Sequence, residues 1–256
     1  MKIKSKNMKK LFMMNYRVIV MLFSVTLFAC SNSQKEEELS IKIDKLQEEI
    51  ESFKEQGLSG TYIGDFGDNM INITLVDCID GIVTGYSVCA GNDRDMQGKY
   101  SINEDGSFYF ELDEPGDNKY DGSFKFNLYV QNQTIQGSWD PYKDIVKSKN
   151  YLLKKRQYQY NVNNGDYSYV SQRYLNQEEL LGFDLDELGE MRNEIYARYG
   201  YSFKNKSWRY YFEKQDWYIP TRIDIRDKIT KVETKNIALI KDLEEYWDIG
   251  YDDFGR

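Results

Sequence analysis

Met70-Ile71-Asn72-Ile73-Thr74-Leu75-Val76-Asp77-Cys78-Ile79-Asp80-Gly81-Ile82-Val83-Thr84-Gly85-Tyr86-Ser87-Val88-Cys89-Ala90 decides the fold. Two β-branched, alternating runs flank Asp80-Gly81, a strong signal for a two-residue hairpin turn. The turn pairs Ile79 with Ile82. Carried along both strands, that register collects Ile71, Ile73, Leu75, Tyr86, Val88 and Ala90 on one face, as a half-buried sheet requires. It sets Cys78 opposite Val83 and Cys89 opposite Asn72, about 20 Å apart at ~3.4 Å per residue. A disulfide needs Cα atoms within ~7 Å, so both thiols are expected free.

The same pattern continues on both sides. Gly60–Gly64, Gln97–Ile102, Ser107–Leu112, Gly122–Val130, Gln133–Trp139 and Asn150–Lys154 complete eight strands, with the hairpin read as Met70–Cys78 and Ile82–Ala90. Short turns join most of them, which predicts an antiparallel meander closed into a barrel over residues 58–155. Phe108, Phe110, Leu112, Phe124, Phe126, Leu128 and Val130 alternate inward. An eight-stranded barrel fills its interior or holds one small ligand. The phenylalanines favour filling; a pocket at one mouth stays open as the alternative. Gly60-Thr61-Tyr62, Thr84-Gly85-Tyr86-Ser87, Gly91-Asn92, Gly98-Lys99-Tyr100, Gly137-Ser138-Trp139 and Tyr151-Leu152-Leu153 recur in an order similar to the avidin and lipocalin meander. That resemblance implies topology and no particular ligand.

Upstream, residues 1–17 carry six basic residues and no acid, and Val18–Ala29 is apolar but too short to span a bilayer. The run ends Leu27-Phe28-Ala29-Cys30, which resembles the lipobox of bacterial lipoproteins. The resemblance implies removal of a signal over 1–29 and lipidation of Cys30. An uncleaved anchor or an ordinary secretory signal is the plainer reading. Residues 30–57 form a tether and a helix. Lys35-Glu36-Glu37-Glu38 resembles an acidic surface-export tag, though acids also favour a helix N-terminus. Leu39, Ile43, Leu46, Ile50 and Phe53 form a heptad seam, and Gly57 is placed to end the helix. Two readings follow: a homodimeric coiled coil through 39–53, or a helix folded on its own domain.

Downstream, residues 156–165 are polar and read as a linker. Helices then follow. Asn176 with Glu179, Asp184 with Glu187, and Thr230 with Glu233 have capping-box spacing, and Asn205 is placed to cap Lys206–Phe212. Leu188, Met191, Ile195 and Tyr199 form one apolar stripe; Val232, Ile237, Ile240, Leu243 and Trp247 form another. Met191-Arg192-Asn193-Glu194-Ile195-Tyr196-Ala197-Arg198-Tyr199-Gly200-Tyr201-Ser202-Phe203 resembles the signature of the YARHG domain, an extracellular bacterial module. Tyr211 to Pro220 and Glu233 to Ile240 fit its later segments in order. The resemblance implies a small all-α domain over 166–250. Tyr199 stands where the motif has histidine. The fold class is therefore α+β and multidomain: heptad helix, eight-stranded barrel, helical domain.

Charge and composition limit function. The chain has 34 basic and 42 acidic residues and no histidine. Without the six leader cations the balance is −14, which disfavours nucleic acid and anionic headgroups as partners. Absent histidine removes the usual general base and the commonest metal ligand, so no enzyme activity, cofactor or metal is expected. Asp184, Asp186 and Glu187 are the densest acids near a turn, and capping explains them. Arg192, Asn193, Arg198, Trp217 and Tyr218 are either core scaffold or one face of a groove for a carboxylate-bearing glycan or peptide. Three functions compete: a non-catalytic adaptor lipoprotein of the bacterial envelope, placed at the outer membrane and contacting a glycan or protein; a small-ligand carrier using the barrel mouth; and a carboxylate hydrolase.

Overall fold

The computed structural model describes residues 33–246. The leader, Cys30 and Trp247 lie outside the described residues. Helix α1 (Ser33–Glu55) precedes eight strands: β1 (Gly60–Phe66), β2 (Asn69–Ile79), β3 (Ile82–Cys89), β4 (Asn92–Ile102), β5 (Phe108–Asp113), β6 (Gly122–Tyr129), β7 (Thr134–Pro141) and β8 (Lys149–Lys155). Each strand pairs antiparallel with the next, and β8 closes on β1 to form a barrel. Asp80 and Gly81 both adopt positive φ (51° and 72°), as the two-residue turn requires.

The register from that turn holds only to Asp77–Thr84. Beyond it Leu75 pairs with Gly85, so Val76 is an extra residue on β2. This bulge shifts the pairing by one, and a shift of one exchanges the faces of the partner strand. Cys89 therefore pairs with Ile71, not Asn72. Ile71, Ile73 and Leu75 still face the core, but their β3 partners are Cys89, Ser87 and Gly85. Tyr86 and Val88 lie on the outer face and Ala90 falls in the turn after β3, a correction to the unbroken hairpin. Both cysteines are free thiols.

Phe110, Leu112, Phe124, Phe126, Leu128, Ile135, Trp139 and Leu153 fill the barrel. Tyr100, Phe110 and Phe126 stack in series at 5.4 and 5.1 Å between centroids. The final turn of α1 closes one end: Phe53 is buried, with its ring 5.9 Å from Tyr100 and 6.5 Å from Phe110. Gly57 ends the helix at φ 75°, and Leu58 N–H donates to Phe53 O at 3.2 Å. Leu39, at the head of the heptad pattern, is exposed.

The helical part contains a 3-10 turn (Ser168–Ser171), α2 (Gln177–Leu180), α3 (Leu185–Arg198), α4 (Lys206–Glu213) and α5 (Lys231–Tyr246). Both Asn176–Glu179 and Asp184–Glu187 make reciprocal capping boxes. Asn205 caps α4, and Thr230 and Glu233 bond reciprocally at the start of α5. Its core is Val170, Leu188, Met191, Ile195, Tyr201, Phe203, Phe212, Ile240 and their neighbours.

Residues 156–165, which run from β8 to the helical part, pack against this core. Tyr158 Oη donates to Arg198 O at 2.7 Å, and Tyr160 stacks on Tyr199 at 4.7 Å. The barrel and the helices are joined along the outer face of β1–β3. Asn72 faces out, is fully buried, and donates to Pro220 O at 2.8 Å. Its register partners Ile63 and Val88 are buried with it. Gly91 N–H donates to Ser202 Oγ at 2.9 Å.

Candidate functional site

The five motif residues are placed in the helical core. Arg192 is fully buried; its Nε and Nη2 donate to Glu244 Oε2 and Oε1 at 2.8 and 3.2 Å, joining α3 to α5. Arg198 is 1% exposed and makes three bonds: to Glu194 Oε2 at 2.6 Å, Asn164 O at 2.7 Å and Ser171 Oγ at 2.9 Å. Buried Asn193 donates to Gly189 O at 2.8 Å. Tyr218 Oη donates to Tyr201 O at 2.6 Å, and half-buried Trp217 edges against Phe212 at 6.1 Å. These donors act on carboxylates, carbonyls and one hydroxyl of their own domain. Burial and bonds within the domain place these residues in its packing. Tyr199 joins the same scaffold, donating to buried Glu233 at 2.8 Å.

The concave site lies in the barrel, at the end opposite Phe53. The β1–β2, β3–β4, β5–β6 and β7–β8 connections surround a mouth with a cavity of about 330 Å³. Phe66, Phe124 and Trp139 form its aromatic wall, with Ile71, Ser87 and Cys89 below. The length of β4, which begins at Asn92 rather than Gln97, brings Asn92 and Arg94 into the wall.

Polar chemistry enters from two places. Glu114, just past β5, is buried; its Oε2 accepts from Gly122 N–H at 2.7 Å and Trp139 Nε1–H at 3.1 Å. Burial pushes its carboxyl above the usual range, against those two bonds. Lys149 shares the inward parity of Tyr151 and Leu153 on β8. Its ammonium sits 4.2 Å from the Phe66 centroid and 5.8 Å from Trp139. Arg94 is committed to Asp121 at 3.1 Å. Burial pushes the Cys89 thiol up to about 11, so it is neutral at physiological pH. The mouth thus combines an aromatic wall, a fixed carboxyl and an inward lysine.

Sequence reasoning missed Glu114 and Lys149. The alternation Lys149, Tyr151, Leu153 carried the signal for the lysine. Glu114 lies outside any alternating run, and nothing local marked it. Asp184 and Glu187, the acids singled out for hydrolysis, bond each other's backbone in a cap.

No helix among the described residues is long and apolar enough to cross a membrane. No curated protein and no solved structure matches the chain. The YARHG domain family matches residues 165–245, the span from Gly165 to the end of α5. The C-terminal helical part of this chain is therefore a YARHG domain.

Proposed function

We propose that this protein is a non-catalytic binding protein of the bacterial envelope, held by lipid on Cys30, with its ligand seat in the barrel mouth. The observation that carries the seat is the 330 Å³ cavity with converging polar groups in an otherwise filled barrel. Its size and mixed lining suit a small, partly apolar molecule. Arg192 and Arg198 are buried in the YARHG domain, so the domain acts as a rigid flank to the barrel in this reading. A second reading keeps the adaptor role at the domain's outer surface.

Two measurements test it. Metabolic labelling with palmitate should mark the wild type and not Cys30→Ala; an unlabelled wild type removes the anchor. For the seat, the full chain in neutral-lipid nanodiscs is titrated with 1-anilinonaphthalene-8-sulfonate, following energy transfer from tryptophan. A saturable signal lost in Cys89→Phe, which fills the cavity, supports the mouth. A signal unchanged by that substitution overturns it.

A further inference from the structure

A second concavity lies where the end of β8 meets the YARHG domain. It measures about 550 Å³, and Lys155, Arg156, Arg222, Tyr86, Gln133 and Gln157 contribute to its walls. Three cations line it and no carboxylate does, in a chain whose net charge is −8. None of the three makes an ion pair with the described residues. Neutral groups hold each in place instead. Lys155 Nζ donates to Gly57 O at 3.1 Å, Arg156 donates to Asp216 O, and the Arg222 guanidinium lies 5.4 Å over the Tyr158 ring. Gly60 has φ 143°, and a Cβ there would overlap the Lys155 stem.

Like charges gathered in a half-buried crevice repel one another unless an anion joins them. We propose that this crevice binds an acidic saccharide. The guanidinium groups suit carboxylate or phosphate substituents. Gln133 and Gln157, with the hydroxyls of Thr61 and Thr221, offer the donors and acceptors that ring hydroxyls need. The acidic remainder of the molecule repels extended polyanions, so a short acidic segment fits better than a nucleic acid or an anionic bilayer. The site is separate from the barrel mouth and does not depend on it.

The test is isothermal titration calorimetry of the full chain in phosphatidylcholine nanodiscs with trigalacturonate, its uncharged methyl ester and inorganic phosphate. Trigalacturonate should bind, weaken with salt, and exceed the ester by at least ~10-fold. Arg222→Gln and Arg156→Gln should each reduce binding by ~10-fold or more, and Lys99→Gln at an exposed position of β4 should leave it unchanged. Gln157→Glu, which adds an acid at an exposed rim position and replaces the amide donor by a carboxylate, should weaken binding in a chain of unaltered thermal stability. Equal binding of the ester, insensitivity to Gln157→Glu, or no binding overturns the proposal. Phosphate bound as tightly as trigalacturonate, with the same loss in the variants, assigns the crevice to a free anion and overturns the saccharide.

Discussion

Arg192 and Arg198 show how deep a paired charge can sit. The sequence left them as core scaffold or one face of a groove, and both arginines are in the core. Each has a carboxylate partner, Glu244 or Glu194, and the partner makes burial tolerable. Glu194 was legible at four-residue spacing. Glu244 was not, because it arrives from another helix. Removing one member of such a pair leaves a bare buried charge. Arg192→Ala is therefore expected to cost ~3–5 kcal/mol in urea unfolding. Arg192→Met combined with Glu244→Leu should recover most of that loss. A single variant as stable as wild type would mean the pair is dispensable. Tyr199 fits the same logic, since a phenol can supply the donor to Glu233 where the motif has histidine.

Secondary-structure elements were the most legible level. Alternation, capping residues and glycine placement are local signals, and all eight strands and the four caps are found in the predicted order, with β4 starting five residues earlier, at Asn92. The miss was the bulge at Val76. A bulge leaves hydrophobic alternation on each side nearly intact, so periodicity alone does not expose it. The heptad of α1 was ambiguous in the sequence. Its last residue resolves one end, with Phe53 closing the barrel. Phe53→Ala should cost ~3–5 kcal/mol, measured by chemical denaturation. A cost below ~1 kcal/mol would show that the plug is not part of the barrel core.

For the molecule as a whole, what could not be read was the docking of barrel on helices. It depends on contacts such as Asn72 with Pro220, far apart in sequence and without periodicity. The crevice follows from such long-range placement, which is why it was not legible residue by residue, whereas a pocket at one barrel mouth was open in the sequence without its lining. Glu213, at the end of α4, lies at this joint and accepts from Met70 N–H. Burial pushes its carboxyl up to about 7, helped by nearby Asp65 and opposed by Arg209. A raised carboxyl means the folded state holds its proton longer than the unfolded chain. Its contribution to stability is full below the unfolded value of about 4.5 and is lost as pH rises through about 7. The wild-type urea midpoint should fall from pH 5 to pH 8 by more than that of Glu213→Gln; equal slopes would refute the assignment. The barrel's closure differs from its other pairings. β1 meets β8 through Tyr62–Lys155 and Ile63–Lys154, with Arg156 N–H bonded to Thr61 O, whereas β6 and β7 are zipped from Gly122–Pro141 to Tyr129–Thr134. Local hairpins can form early, but this seam must wait for chain ends about a hundred residues apart to meet. It is the last hoop fastened and the first to loosen, so amide deuteration should reach Ile63 before Leu128.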